Sequence, residues 1–302
     1  MEALTPRQWD YFQAVTNHFN QPGRFATLVG QEWTHHHQAT GAPGHRNVYV
    51  RGAAAPLFSS LDPDTDSLDK LWSRLCGLDA IAIPHHSANM VMGVKWELGW
   101  NPEFEKAVEI YSVWGSSECH AEEGNPRPIR NLKGEQRGRH VCVALRLGYR
   151  FGFVGGGDIH DGRPGDDLHT ASYPGPNPHW HQGFTAAWVP ELTREAVFDA
   201  LRARRTYAAT KRRIYLETSF RRQAGRLTLA LRAASENGLA DVALLQDAGV
   251  SHTLQPGPDP RVLEANVPFE PGHERDYLYA RVRTRTGDLA WSSPVWADEI
   301  AP

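Results

Sequence analysis

Four apolar runs of this chain stop at, or just before, a residue able to hold a cation. Leu28-Val29-Gly30 leads to Glu32, and Ile81-Ala82-Ile83-Pro84 leads to His85 and His86. Val108 is followed directly by Glu109, and Phe153-Val154-Gly155-Gly156-Gly157 leads to Asp158 and His160. Runs this short, bounded by turn formers, read as buried strands rather than helices. A strand end holds the backbone still while the side chains near it project into one space. A fold for this chain must therefore gather four distant strand ends around one site.

Between the runs lie helical patterns. Thr5 as N-cap with Pro6 at the first helical position precedes Trp9, Phe12, Val15 and Phe19, and Leu68, Leu71, Trp72 and Leu75 repeat the spacing within Asp66 to Cys76. Thr193 caps a third helix through Phe198 and Leu201. Strand, crossover and strand in alternation predict an α/β sheet or barrel with its site at the carboxyl ends of the strands. After about Thr218 the pattern changes to period two, in Leu227 to Ala233, Tyr277 to Arg283 and Leu289 to Trp296, which predicts a small antiparallel sheet or sandwich. The expected division is a metal-binding α/β domain over residues 1–218 and a β-sandwich-like domain over 219–302. Of the 15 histidines all but His252 and His273 lie before residue 182, so the chemistry belongs to the first domain. Asp161 to Gly183, dense in Gly, Pro, Asp and His, reads as one long functional loop.

Composition narrows the function. A formal net charge of −3 and the lack of an evident basic patch argue against nucleic acid as a partner. Cys76, Cys119 and Cys142 are odd in number and far apart, which fits neither a disulfide framework nor a zinc ribbon and points to a reducing cytoplasm. No run approaches the about 18 apolar residues of a membrane span, and the first residues lack the pattern of a secretion signal. Gly-x-Ser-x-Gly, a phosphate loop, His-Glu-x-x-His and a dinucleotide fingerprint are all missing from the sequence.

What remains is a mixed set of histidines and carboxylates, each with a plainer alternative. Asp158-x-His160 is a ligand pair or an Asp cap on a glycine turn. His85 and His86, adjacent on a strand, should point to opposite faces, leaving one for the site and one as a partner to it. Glu109 within Val108-Glu109-Ile110-Tyr111 would be costly to bury alone, by several kcal/mol, and requires a metal or an arginine unless its strand is exposed. His35, His36 and His37 are extra ligands or solvated loop residues, and His45 is a lone loop histidine that gains weight from its company. Tyr111 to His120, including Trp114, is the kind of loop that walls a pocket. Imidazole nitrogen combined with carboxylate oxygen suits Zn, Mn or Fe, often as two ions.

Gly30-Gln31-Glu32-Trp33-Thr34, Gly44-His45-Arg46-Asn47-Val48-Tyr49, Pro84-His85-His86, Glu109-Ile110-Tyr111-Ser112, Gly157-Asp158-Ile159-His160, Arg205 to Thr210 and Ala290 to Trp296 together resemble the polymerase and histidinol phosphatase (PHP) superfamily, in its large branch of unknown-function proteins. The resemblance spans nearly the whole chain. It implies a distorted (β/α)₇ barrel that hydrolyses phosphoesters with two ions, or one or three. It also implies a metal centre of Glu32, His45, one or both of His85 and His86, Glu109, Asp158 and His160. The chain departs from the family in lacking the opening His-x-His and Asp-x-His strands. The expected fold is therefore an amino-terminally shortened PHP-type barrel followed by the β domain. His35, His36 or His37 could stand in for the missing ligands, and a second subunit could cover the open barrel edge as a homodimer.

The expected activity is hydrolysis of a small-molecule phosphoester by metal-bound hydroxide, a diester or triester favoured over a monoester. Asp158 would hold metal, His160 or His86 would protonate the leaving group, and Arg163, Trp114 and Lys211 would bind substrate. Two alternatives stay open: a metal-dependent carboxylic ester, lactone or sulfate hydrolase, and a non-catalytic binding module with a degenerate metal site.

Overall fold

A computed structural model of the chain describes residues 4–35, 42–160, 180–223, 226–247, 249–273 and 276–300. The first two thirds contain α1 (Pro6–His18), β1 (Val29–Trp33), β2 (Arg46–Val50), α2 (Leu68–Leu75), β3 (Ala80–Pro84), β4 (Ala107–Ser112) and β5 (Gly115–Ser116). They continue with α3 (Val141–Arg146), β6 (Gly152–Gly155), β7 (Phe184–Ala187), α4 (Arg194–Arg202) and β8 (Thr206–Ala209). Eight strands follow: β9 (Tyr215–Gln223), β10 (Arg226–Ala234), β11 (Leu239–Gln246), β12 (Gly249–Leu254), β13 (Val262–Phe269), β14 (Tyr277–Thr284), β15 (Leu289–Ser292) and β16 (Val295–Trp296).

Local chemistry sets the helix starts. Thr5 and Gln8 close a reciprocal capping box on α1, Ser67 accepts the Lys70 N–H at α2, and Thr193 accepts the Ala196 N–H at α4. α2 buries Leu68, Leu71 and Leu75 in a core shared with Trp9, Val48, Ala80 and Ala82. α4 buries Phe198 and Leu201 against Ile81, Ile83 and Val154. β3 thus has helices packed against both of its faces.

The expected (β/α) barrel is overturned. Strand outweighs helix by 35% to 17%, in several small sheets, and no set of strands closes among the described residues. β1, β2 and β3 form an antiparallel sheet in sequence order, with Glu32 opposite Asn47 and Asn47 opposite Ile83. Among the described strands, β4 pairs in parallel with β6, joined through α3, in a sheet ordered β5-β4-β6. Burial on both faces is a real property of β3 and β4. It demands cover on two sides, which helices supply equally well to an antiparallel sheet, and so did not require parallel pairing. The ground for a covering second subunit, an open barrel edge, lapses with the barrel.

The carboxyl-terminal strands build two antiparallel sheets, β13-β10-β9 and β12-β11-β14-β15-β8-β7, with β16 paired to β14. The larger sheet takes β7 and β8 from before residue 218. It also grips β6: Phe153 N–H donates to Ser293 Oγ at 2.9 Å, Thr206 Oγ1 donates to Phe153 O at 2.9 Å, and Gly155 N–H donates to Thr185 Oγ1 at 3.1 Å. Three hydroxyls from this region thereby fix the strand that presents Asp158. No described helix is long and apolar enough to cross a membrane.

Candidate metal centre

Strand alternation builds the floor of the site. Cross-strand pairing puts Gly30 and Glu32 of β1, Asn47 and Tyr49 of β2, and Ile81 and Ile83 of β3 on one face. His45, one residue before β2, stands beside this face with its Nδ1 at 2.8 Å from Glu32 Oε1. Just past β3 the chain turns at His86, whose φ of 35° lies in the left-handed region. That turn breaks the alternation of a strand, so both His85 and His86 reach the site instead of one. His85 Nε2 is 3.3 Å from Glu32 Oε1 and its Nδ1 is 3.7 Å from Asp158 Oδ2, while His86 Nε2 is 3.8 Å from the same Asp158 oxygen. Asp158, beyond the end of β6, also has a positive φ, 51°. Non-glycine residues held there are uncommon and gather at functional sites.

Two groups of potential ligands result, each with donor atoms within 4.8 Å of one another: Glu32 with His45, His85 and His86, and Glu32 with Asp158 and His160. Glu32 is common to both. The contacts are short but misaligned, since neither ring nitrogen of His45 or of His85, nor His86 Nδ1, finds a hydrogen-bond partner although all are buried. Lone pairs aimed at a shared space rather than at each other fit a cation between them, and leaving such groups unmet would be costly. The cluster could hold a metal ion.

Electrostatics agree with that geometry. Burial opposes charge on His85, but its place between the Asp158 and Glu32 carboxylates raises its pKa well above the usual value. Burial likewise opposes charge on Glu32 and Asp158, yet the histidines hold both far below the ordinary carboxylate range. His45 and His86 are shifted down, chiefly by burial, toward the neutral form that ligates.

The remaining candidates are placed as follows. Glu109, within β4, is buried and lies outside both groups; its Oε1 accepts the His86 backbone N–H at 3.2 Å. A register shift between Glu109 and Tyr111 accompanies it. Burial pushes its carboxyl up to about 7, with the Asp158 charge adding and His85 opposing. Trp114 is buried and donates its indole N–H to Asp158 Oδ2, so it touches a candidate ligand rather than lining the open cavity. Lys211 lines a different cleft with Arg212 and Arg213 and stands 3.4 Å from His181 Nδ1. His35 packs against Trp33 beside a small hollow that His45 also lines. His36, His37 and Arg163 lie outside the described residues.

A cavity of about 450 Å³ opens onto the side of the cluster formed by Glu32, Asp158 and His160. Sequence reasoning missed Asn47 and Tyr49, which line it. Counting in twos from His45 would have put both beside it on one face. Burial and the nearby carboxylates push the Tyr49 hydroxyl up to about 12, keeping it a proton donor.

The family model that matches this chain covers residues 1–125 and 177–226 and is described as a protein of unknown function (DUF3604). The chain belongs to this family. Glu32, His45, His85, His86 and Glu109 fall within the matched DUF3604 segments, and Asp158 and His160 between them. The chain is 29% identical over 326 residues to an uncharacterized protein of Chlamydia pneumoniae, covering 98% of this chain and 50% of the relative. It is 27% identical over 324 residues to an uncharacterized protein of Chlamydia trachomatis, with coverage of 98% and 50%. The chain thus spans about half the length of the curated relatives it matches. No solved structure matches significantly.

Proposed function

We propose that the chain is a metal-dependent hydrolase of phosphoesters, acting on a diester or triester in preference to a monoester. The observation that carries this reading is the shared carboxylate: Glu32 belongs to both ligand groups, the arrangement by which one side chain serves two neighbouring ions. Imidazole and carboxylate donors together suit Zn, Mn or Fe, and two groups support two ions. The motifs that resemble the PHP superfamily support the same chemistry. When bound, such ions lower the pKa of water from about 16 toward 7 and neutralise charge on a phosphoryl oxygen.

The chain's own residues have separate tasks in this reading. Trp114 steadies Asp158 through its indole N–H, and Glu109 fixes the turn that carries His85 and His86. His160, its side chain 36% exposed, completes the second ligand group beside Glu32 and Asp158. No lysine or arginine lines the cavity among the described residues, whereas Glu32, Glu109 and Asp158 do. Among the described residues no protein cation is placed to meet a second phosphoryl charge, which supports esters of lower charge.

Asp158→Ala is expected to lose both bound transition metal, read by elemental analysis, and turnover of a chromogenic phosphodiester. Turnover at the wild-type rate would sink the assignment. Carboxylic esters, lactones and sulfate esters in the same substrate panel test the choice of bond.

A further inference from the structure

The cavity over the cluster is lined by side chains of two chemical kinds. Glu32, Asn47, Tyr49, Glu109, Asp158, His160 and Thr185 bring polar groups to it. Leu28, Ile83, Val154, Val197 and Leu201 bring apolar ones, and these five pack together in one core cluster. These side chains belong to the core cluster around Phe198, in which Leu28, Tyr49 and Val197 are packed but only partly buried. Their remaining surface therefore faces the cavity. Ala187 and Val197 line the same space with little bulk, so the hollow is kept open where one larger side chain would close it.

We infer that the substrate carries an apolar substituent, an alkyl or aryl group, that seats against Val197 and Leu201 of α4 while its ester group lies at the cluster. The inference rests on the hydrolase reading for the polar end. A sugar or a second phosphate at the α4 end would leave hydrogen-bonding groups facing Leu28, Val197 and Leu201, with no cationic side chain among the described lining residues to meet them. An apolar group there instead covers surface that water now wets. A concave site, mostly apolar with a few polar groups at one end, is the usual form of a small-molecule pocket.

The test is binding first, turnover second. Methyl-, butyl- and hexylphosphonate are titrated calorimetrically into the metal-loaded protein. The Kd is expected to fall by up to about fourfold per added methylene until the hollow is filled. Val197→Trp should flatten that dependence, and Val197→Ala, the gentler change, should move the best chain length upward. An equal Kd across the wild-type series, or a slope unchanged in both variants, would overturn the apolar subsite. Alkyl 4-nitrophenyl phosphodiesters of matching lengths are then assayed for hydrolysis. Chain-length-dependent binding without turnover of any ester would overturn the hydrolase reading and keep the subsite. Turnover indifferent to chain length, with an equal Kd across the phosphonates, would do the reverse.

Discussion

Glu109 lines the cavity beside a cluster that could hold a metal ion while standing outside both of its ligand groups. It was expected among the ligands, and a buried carboxylate does need a partner; the donors seen are the His86 backbone N–H and the Ser112 hydroxyl. Its carboxyl is raised by burial from the usual 4.5 up to about 7. A group whose pKa is raised on folding contributes stability that is complete below its unfolded value and is lost as pH rises through the folded one. Glu109→Gln keeps an oxygen for the His86 N–H and removes the ionisation. In chelator-treated protein the variant should match the wild type near pH 4 and exceed it at pH 8 by up to about 3 kcal/mol. Urea unfolding at the two pH values measures this, and a variant less stable at pH 8 would refute the account. Sequence alone could place Glu109 in an apolar run; only the fold could show that a main-chain donor and a hydroxyl, rather than an arginine, meet it.

At the scale of elements, the turn after β6 explains its run of glycines by close approach. A Cβ on Gly155 would stand 2.6 Å from the Phe184 carbonyl oxygen of β7, and one on Gly156 would stand 2.3 Å from Glu109 Oε2. The first neighbour is backbone and cannot swing aside. Gly155→Ala should therefore push β6 from β7, lower stability by about 1–3 kcal/mol and weaken metal binding by moving Asp158. Thermal unfolding and a metal titration read the two effects, and a variant with wild-type values in both would contradict the packing argument. Several elements were legible from local pattern. The apolar run through Val29 and Gly30 opens β1, the helix within Asp66 to Cys76 is α2, and the Thr193 cap starts α4. Their pairing was not legible, because a short apolar run carries no mark of direction. The β2 to β3 connection includes α2 and still joins antiparallel neighbours.

For the molecule as a whole, the cluster draws on segments from Glu32 to His160, held by sheets that reach to Ser293. An ion bound there stabilises the native state and not the unfolded chain. At a free concentration a thousand times its Kd it should add about 4 kcal/mol. Chelation should therefore lower the unfolding midpoint, and Asp158→Asn should abolish most of the difference between metal-loaded and chelated protein in a thermal scan. An unchanged midpoint on chelation, with metal shown by analysis to have been removed, would argue against a structural link between site and fold. By itself the sequence determined which residues could ligate and that short apolar runs deliver them, because side-chain chemistry and local periodicity are written residue by residue. The tertiary structure decided the antiparallel floor that aligns Asn47 and Tyr49 with Glu32, the turn that brings both His85 and His86 inward, and the apolar wall of α4. Each depends on contacts between segments far apart in the chain, whose free energies no local pattern records.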